Sequence, residues 1–328
     1  SAASDVYKRQ AQDGSGHHAT IQAAIDAATD GDEIFIRPGR YVENVAIVGK
    51  DLTIDGEGDR EDIVLELDSD AGPADVDWSA LLDEGDEPYS TAILIAESET
   101  TLSGIAVVAD HEEEAILALG PAAVADISDV SVRSLGEIPG GINAIFWERG
   151  ASGSLRDSRV EGWVGLNADA NVIVEGNEMP ATCIGVWEDG ADVVIRRNVI
   201  HGCEYEKGLE ITGDSTALVE GNDIWVEEVE PGPPNPMWGG RVAITVNSSQ
   251  PVTIRDNDLH DSKAAIALLG GGLAVLEGNR VSSNEIGVDA DHFGAVEMTG
   301  NLIERNGVGL ILNGLADSML QDNRICDN

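Results

Sequence analysis

The sequence predicts an all-β fold in which one chain winds into a solenoid of about ten rungs, closed at its N-terminal end by a single α-helix. Three observations carry the prediction. One six-residue segment recurs at a near-constant spacing, the apolar pieces around it are strand-like and short, and helical periodicity occurs before the first repeat. The segment is apolar-x-x-Asn-x-apolar, as in VEGNEM, IRRNVI, VEGNDI, IRDNDL, LEGNRV, MTGNLI and LQDNRI. Its asparagines are Asn177, Asn198, Asn222, Asn257, Asn279, Asn301 and Asn323, separated by 21, 24, 35, 22, 22 and 22 residues. Ser158, Val130 and Ile105 take the asparagine position in degraded upstream copies.

Each period holds three short strand-like pieces with no helix between them. Such pieces cannot bury their apolar faces alone, so successive turns stack about 4.8 Å apart. The asparagine belongs inside a tight turn, bonded to its equivalents above and below and tolerant of left-handed backbone. Residues 19–29 form the predicted cap helix, with Ile21, Ala24, Ile25 and Ala28 on one face and Gly31 as the stop signal. The helix covers strand edges that the first coil would otherwise expose. Residues 1–18 read as a tag or disordered leader, which leaves one domain over 19–328 with loop insertions at 68–90 and 226–241. The chain stops at Asn328 inside a rung, as a fragment of a longer solenoid would.

The 61 acidic and 19 basic side chains give a net charge of −42. That excess excludes sequence-independent binding to nucleic acid or to an anionic membrane, because polyanions are repelled. No apolar run approaches the roughly 18 residues of a membrane span. Only Lys8, Lys50, Lys207 and Lys263 are lysines. A carboxylate-rich, lysine-poor surface suits a saline setting, where self-repulsion is screened. The expected location is secreted or at the cell surface. Cys183 and Cys203 fall six and five residues past their asparagines in adjacent rungs, within disulfide reach.

The stretch TIQAAIDAATDGDEIFIRPGRYVENVAI, followed by KDLTIDGEGD, resembles the cap and first coil of the right-handed parallel β-helix superfamily, which is pectate lyase-like. Its members include pectate lyases, pectin methylesterases, polygalacturonases, alginate epimerases and periplasmic β-helix proteins of copper-site maturation. The resemblance spans residues 19–328 and implies the right-handed coil. It is specific for fold and not for activity. The signature motifs of the enzyme subfamilies do not occur, so no catalytic residue carries over. The resemblance also implies that the loop after the third strand of each coil overhangs the first sheet, which puts both insertions on one side of a groove.

The six tryptophans map to that side. Trp147 and Trp187 open the parallel segments WERGA and WEDGA and are expected to point outward in one register, alternating with Phe146 and Val186. Trp78, Trp163 and Trp238 lie in overhanging loops and Trp225 at the entry to one. Indoles in a row suit the apolar face of a sugar ring. Arg149, Lys207 and Arg241, scarce cations on the same side, offer a place for an anionic substrate. Asp189 and Glu210, from adjacent rungs, are expected within roughly 5–9 Å, a span covering both carboxylate separations used by glycosidases. His201 and Lys207, beside Glu210, could act as base in β-elimination. His201, Trp225 and His260 each stand three residues past a ladder asparagine and should stack. Asp68, Asp70, Asp75 and Asp77 supply oxygen ligands suited to Ca²⁺; no organic cofactor is expected.

The expected protein is thus a secreted carbohydrate-active β-helix that binds a polysaccharide in a tryptophan-lined groove and acts as a polysaccharide lyase or glycoside hydrolase. The alternatives are a non-catalytic glycan-binding or adhesion module and a periplasmic metal-delivery accessory.

Overall fold

The computed structural model describes residues 7–11, 16–71, 76–83, 86–109, 114–134, 143–203, 207–226, 241–291, 294–314 and 318–328. About 11 turns of coil build three parallel sheets. Sheet A holds the strand preceding each turn asparagine, such as Asn171–Glu175 and Asp192–Arg196. Sheet B holds the strand that follows, such as Val199–His201, and sheet C the third strand, such as Thr182–Trp187. Each strand pairs in parallel with its equivalent one coil away, for example Val172 with Val193 and Val193 with Ala217. Alternate side chains point inward, and they fill one continuous core of Ile, Val, Leu and Ala along the axis.

The asparagine ladder is present, and its bonding explains the repeat. The Oδ1 of Asn222 accepts the backbone N–H of Asn198 at 3.0 Å and the Asn198 Nδ2 at 3.0 Å. The Asn222 Nδ2 in turn donates to the Ile195 carbonyl at 2.9 Å and to the Asn257 Oδ1. The left-handed conformation falls on the residue before the asparagine, not on the asparagine: Gly176, Arg197, Gly221, Asp256, Gly278, Gly300 and Asp322 all have φ between 54° and 71°. Glycine is favoured there because it adopts that conformation without a Cβ clash, and aspartate tolerates it. This is why the motif so often reads Gly-Asn or Asp-Asn.

A second ladder, unnoticed in the sequence, runs along the turn from sheet B to sheet C through Ser262, Asn284, Asn306 and Asn328. Each backbone N–H meets the next Oδ1 at 3.0 Å. The same spacing of 22 residues would have revealed it.

The cap helix is Ile21–Ala27, shorter at both ends than predicted. Thr20 Oγ1 accepts the Ala23 N–H, and the Glu43 carboxylate accepts those of Ile21 and Gln22. These acceptors satisfy otherwise orphaned donors of the first turn. Lys50 Nζ donates to the carbonyls of Ile25 and Asp26 at the other end. The reading of residues 1–18 as a leader needs correction, because Tyr7–Gln10 is a strand of sheet A paired with Asp32–Ile36, and Gln10 is fully buried. Backbone pairing recruits it, and that leaves no repeat signature in the sequence. Cys183 and Cys203 form the expected disulfide, with Cα atoms 5.2 Å apart and both residues buried.

Candidate functional site

The outward face of sheet C carries the candidate site. Its register corrects the expected columns. Leu117, Phe146 and Gly165 are neighbours, followed by Gly185, Glu210, Thr245, Ala267 and Asp289, all facing out. Trp147 instead aligns with Ala118 and Leu166, is 0% exposed and belongs to the core inside the coil. It cannot touch a ligand in the groove. The cause is a turn one residue longer after Val186 than after Trp147. The motif match WERGA to WEDGA is therefore one residue out, and a slip of one inverts the facing of a side chain.

Trp187 does face out, beside Phe146 and Trp163. Its ring centroid lies 4.8 Å from that of Trp163 and 6.2 Å from that of Phe146. Gly185 and Gly165 make room for these rings. A Cβ on Gly185 would come within 2.1 Å of Trp187 Cζ2, and one on Gly165 within 2.4 Å of Phe146 Cε1. Both rings lie back over the sheet as a low platform. Residues 76–83 and 86–89 pass over the earlier coils of the same face, where Trp78, Leu81, Leu82 and Tyr89 pack on Leu94, Leu117 and Phe146.

Between this segment and the platform lies a cavity of about 300 Å³ lined by Asp83, Tyr89, Glu148, Arg149, Asn167 and Glu188. Glu148 is its hub. Its Oε2 accepts the Tyr89 hydroxyl at 2.8 Å and its Oε1 accepts Asn167 Nδ2 at 3.2 Å. Burial, and then the Glu148 carboxylate, push the Tyr89 phenol well above its ordinary pKa, so the phenol stays protonated and donates. Arg149 bonds Asp83 at 2.7 Å and also pairs with Asp86. The hydrogen bond to Asp86, ahead of that to Asp83, holds the guanidinium pKa above its usual value despite partial desolvation. Asn167 is 9% exposed, and its Oδ1 accepts no hydrogen bond among the described residues.

The expected catalytic residues separate. Lys207 Nζ pairs with Glu210 Oε1 at 2.6 Å, and Trp187 Nε1 donates to Glu210 Oε2 at 3.2 Å. These three come together at the platform edge. Asp189 does not join them. It lies in the turn beyond sheet C, four residues past the Gly185 that aligns with Glu210, and its Oδ1 accepts the Asp214 N–H. Glu210 is therefore aligned with Gly185, and Asp189 is not its neighbour in the outward column. Arg241 faces Glu285 at 3.7 Å, further along the solenoid.

His201 lies on the outward face of sheet B, away from Glu210. It stacks on Trp225, which stacks on His260, with centroids 5.2 and 5.5 Å apart. Trp225 is thus sandwiched between imidazoles and does not face the groove of sheet C. Trp238, Asp75 and most of insertion 226–241 lie outside the described residues. Asp68 Oδ1 accepts the N–H groups of Asp70 and Ala71, and Asp77 Oδ1 accepts the Ser79 hydroxyl. These carboxylates serve local turns, and among the described residues no three His, Cys, Asp or Glu side chains form a metal-binding group. Tyr89 and Glu148 escaped sequence reasoning. Aligning coils on their strands instead of on the Trp-Glu motif would have placed Glu148 beside Asn167.

His260 makes a testable contact. Its Nδ1 meets Asp261 at 2.8 Å and its Nε2 meets Asp223 at 2.9 Å. Carboxylates only accept, so both ring nitrogens donate and the imidazolium is the favoured form. Burial opposes the charge and is the largest influence, but the hydrogen bonds and charges of Asp261 and Asp223 together outweigh it and raise the pKa. A raised folded pKa stabilises the fold fully below the unfolded value of about 6.5 and loses that contribution as pH rises through the folded value. The Tm advantage of wild type over His260→Gln should therefore shrink from pH 6 towards pH 9. A gap that stays constant or widens would rule this out.

Comparisons with known proteins agree with the architecture. A family model described as periplasmic copper-binding protein (NosD) matches residues 234–328. The catalytic unit of a thermostable GH87 α-1,3-glucanase from Streptomyces thermodiastaticus strain HF3-3 is similar, with 16% identity and a TM-score of 0.56 over 92% of this chain. The chain spans 64% of that unit's length. The Dettilon tailspike protein is similar at 12% identity and a TM-score of 0.50, over 91% of this chain and 67% of its own. No curated protein sequence matches. At these identities the likeness is one of fold. With its stacked coils, asparagine ladders and capping helix, the chain is a parallel β-solenoid that has the fold of the right-handed parallel β-helix proteins it is similar to.

Proposed function

We propose that the protein is an extracytoplasmic, carbohydrate-active β-helix that binds a polysaccharide along the outward face of sheet C and cleaves it there. The observation that carries this reading is the partly exposed aromatic pair Trp187 and Trp163, backed by the buried Phe146 ring and laid over glycines beside a polar cavity. Sugar recognition needs an apolar ring face next to directional polar groups. A buried disulfide fits an oxidising compartment. No described helix is long and apolar enough to cross a membrane.

The test is binding and turnover of a polysaccharide panel with and without Ca²⁺, reading new reducing ends and unsaturated products. Trp187→Ala should weaken binding about tenfold, equivalent to about 1.4 kcal/mol. Gly185→Ala should do much the same by displacing the indole without removing it. Unchanged affinity in both variants would sink the platform. Binding without product would favour the adhesion-module alternative. The NosD match favours a second reading, metal delivery in the periplasm, which predicts stoichiometric copper retained after desalting.

A further inference from the structure

The geometry points to selectivity within this same cavity: we infer that the Asp83–Tyr89–Glu148–Asn167–Glu188 cavity accepts a neutral, hydroxyl-rich sugar residue and rejects a uronate. The inference rests on the polysaccharide reading and narrows it.

Three kinds of donor line the cavity, and each has a carboxylate partner within the protein. The Tyr89 hydroxyl and the Asn167 Nδ2 both bond Glu148, and the Arg149 guanidinium bonds Asp83 and Asp86. The acceptors are in excess. Asn167 Oδ1 is buried with no hydrogen-bond partner among the described residues, and Glu148 and Glu188 add carboxylate oxygens. A buried acceptor without a donor pays its desolvation uncompensated, so a ligand that donates is favoured over one that only accepts. Sugar hydroxyls donate. A uronate carboxylate offers only acceptors and a second negative charge.

Charge leads to the same conclusion. The three cations expected to receive an anionic substrate each face a carboxylate already: Arg149 with Asp83 and Asp86, Lys207 with Glu210, Arg241 with Glu285. A uronate entering the cavity would meet Glu148 and Glu188 with the nearest guanidinium neutralised. The same arrangement disfavours β-elimination here. That reaction needs a cation on the substrate carboxylate and a base beside it, whereas the cavity's phenol is hydrogen-bonded as a donor. The expectation that Arg149 holds an anionic sugar is replaced by a structural role, pinning Asp83 and Asp86 over the sheet.

The experiment is calorimetric titration of the full chain at about 0.5 M NaCl, where the screening length is about 4 Å and the overall net charge no longer dominates. The probes are soluble neutral oligosaccharides (α-1,3-glucan, β-1,3-glucan and mannan) and two uronates (oligogalacturonate and oligoalginate), in EDTA and in Ca²⁺. At least one neutral sugar should bind at least about tenfold tighter than either uronate. Asn167→Ala should erase most of that preference. Glu188→Gln, which removes one charge and supplies a donor at an exposed turn, should improve uronate binding severalfold while leaving Tm unchanged. A uronate bound as tightly as the best neutral sugar, in either buffer, overturns this inference and leaves the polysaccharide reading intact. Failure of every sugar to bind a chain with unchanged circular dichroism overturns both.

Discussion

Trp147→Ala should lower the free energy of unfolding by about 3–5 kcal/mol, the usual cost of truncating a fully buried large aromatic side chain, and should leave sugar affinity at low temperature unchanged. The indole is 0% exposed and lies in the inward column between Ala118 and Leu166. Small residues in the coil before it leave no side chain that could expand into the space, so a cavity remains. Its Nε1 has no hydrogen-bond partner among the described residues, a buried donor whose desolvation is uncompensated. Trp147→Phe should therefore cost much less than the alanine variant, because it removes the unpaired donor together with the lost volume. Trp187→Ala should show the opposite pattern, with a small change in stability and a clear loss of binding. Denaturant titration beside calorimetry separates the two. If Trp147→Ala weakened binding at full stability, the inward placement would be wrong.

The contrast between these two tryptophans shows what the sequence discloses and what it hides. Coil number, the capping helix, the ladder and the disulfide follow from spacing, because a repeat near 22 residues and a stacked cysteine pair are properties of the chain alone. Facing is a parity. In Ala144–Glu148 four consecutive apolar residues, Ala144, Ile145, Phe146 and Trp147, leave the alternation undefined. One extra residue in the next-but-one turn then shifts the apparent match. The side chains lining the cavity were hidden for a different reason. Tyr89 and Glu148 are 59 residues apart and meet only because Trp78, Leu81, Leu82 and Tyr89 pack back over the sheet, a tertiary event with no local pattern. The acidic composition made paired carboxylates easy to imagine and hard to place, as Glu210 on its strand and Asp189 in a turn illustrate.

Asn222→Ala should cost about 2–6 kcal/mol, from two buried groups that lose their partners at about 1–3 kcal/mol each. The Asn198 backbone N–H loses the Oδ1 that accepts it, and the Ile195 carbonyl loses a donor. The neighbouring side-chain amides fare better, since Asn198 Nδ2 keeps the Val174 carbonyl and Asn257 Oδ1 keeps the Asn222 N–H. A ladder is a chain of such shared bonds, and a solenoid couples each coil only to its neighbours. The loss should therefore appear locally, as faster amide exchange at Asn198 and in the coils on either side, with the distant cap helix less affected. Asn222→Ser should recover part of the loss, because Ser158 already occupies the equivalent place and its hydroxyl accepts the Val130 N–H at 3.1 Å. A loss below 1 kcal/mol for the alanine variant, or equal losses for alanine and serine, would mean that the stacked apolar core, and not the asparagine ladder, sets the register between coils.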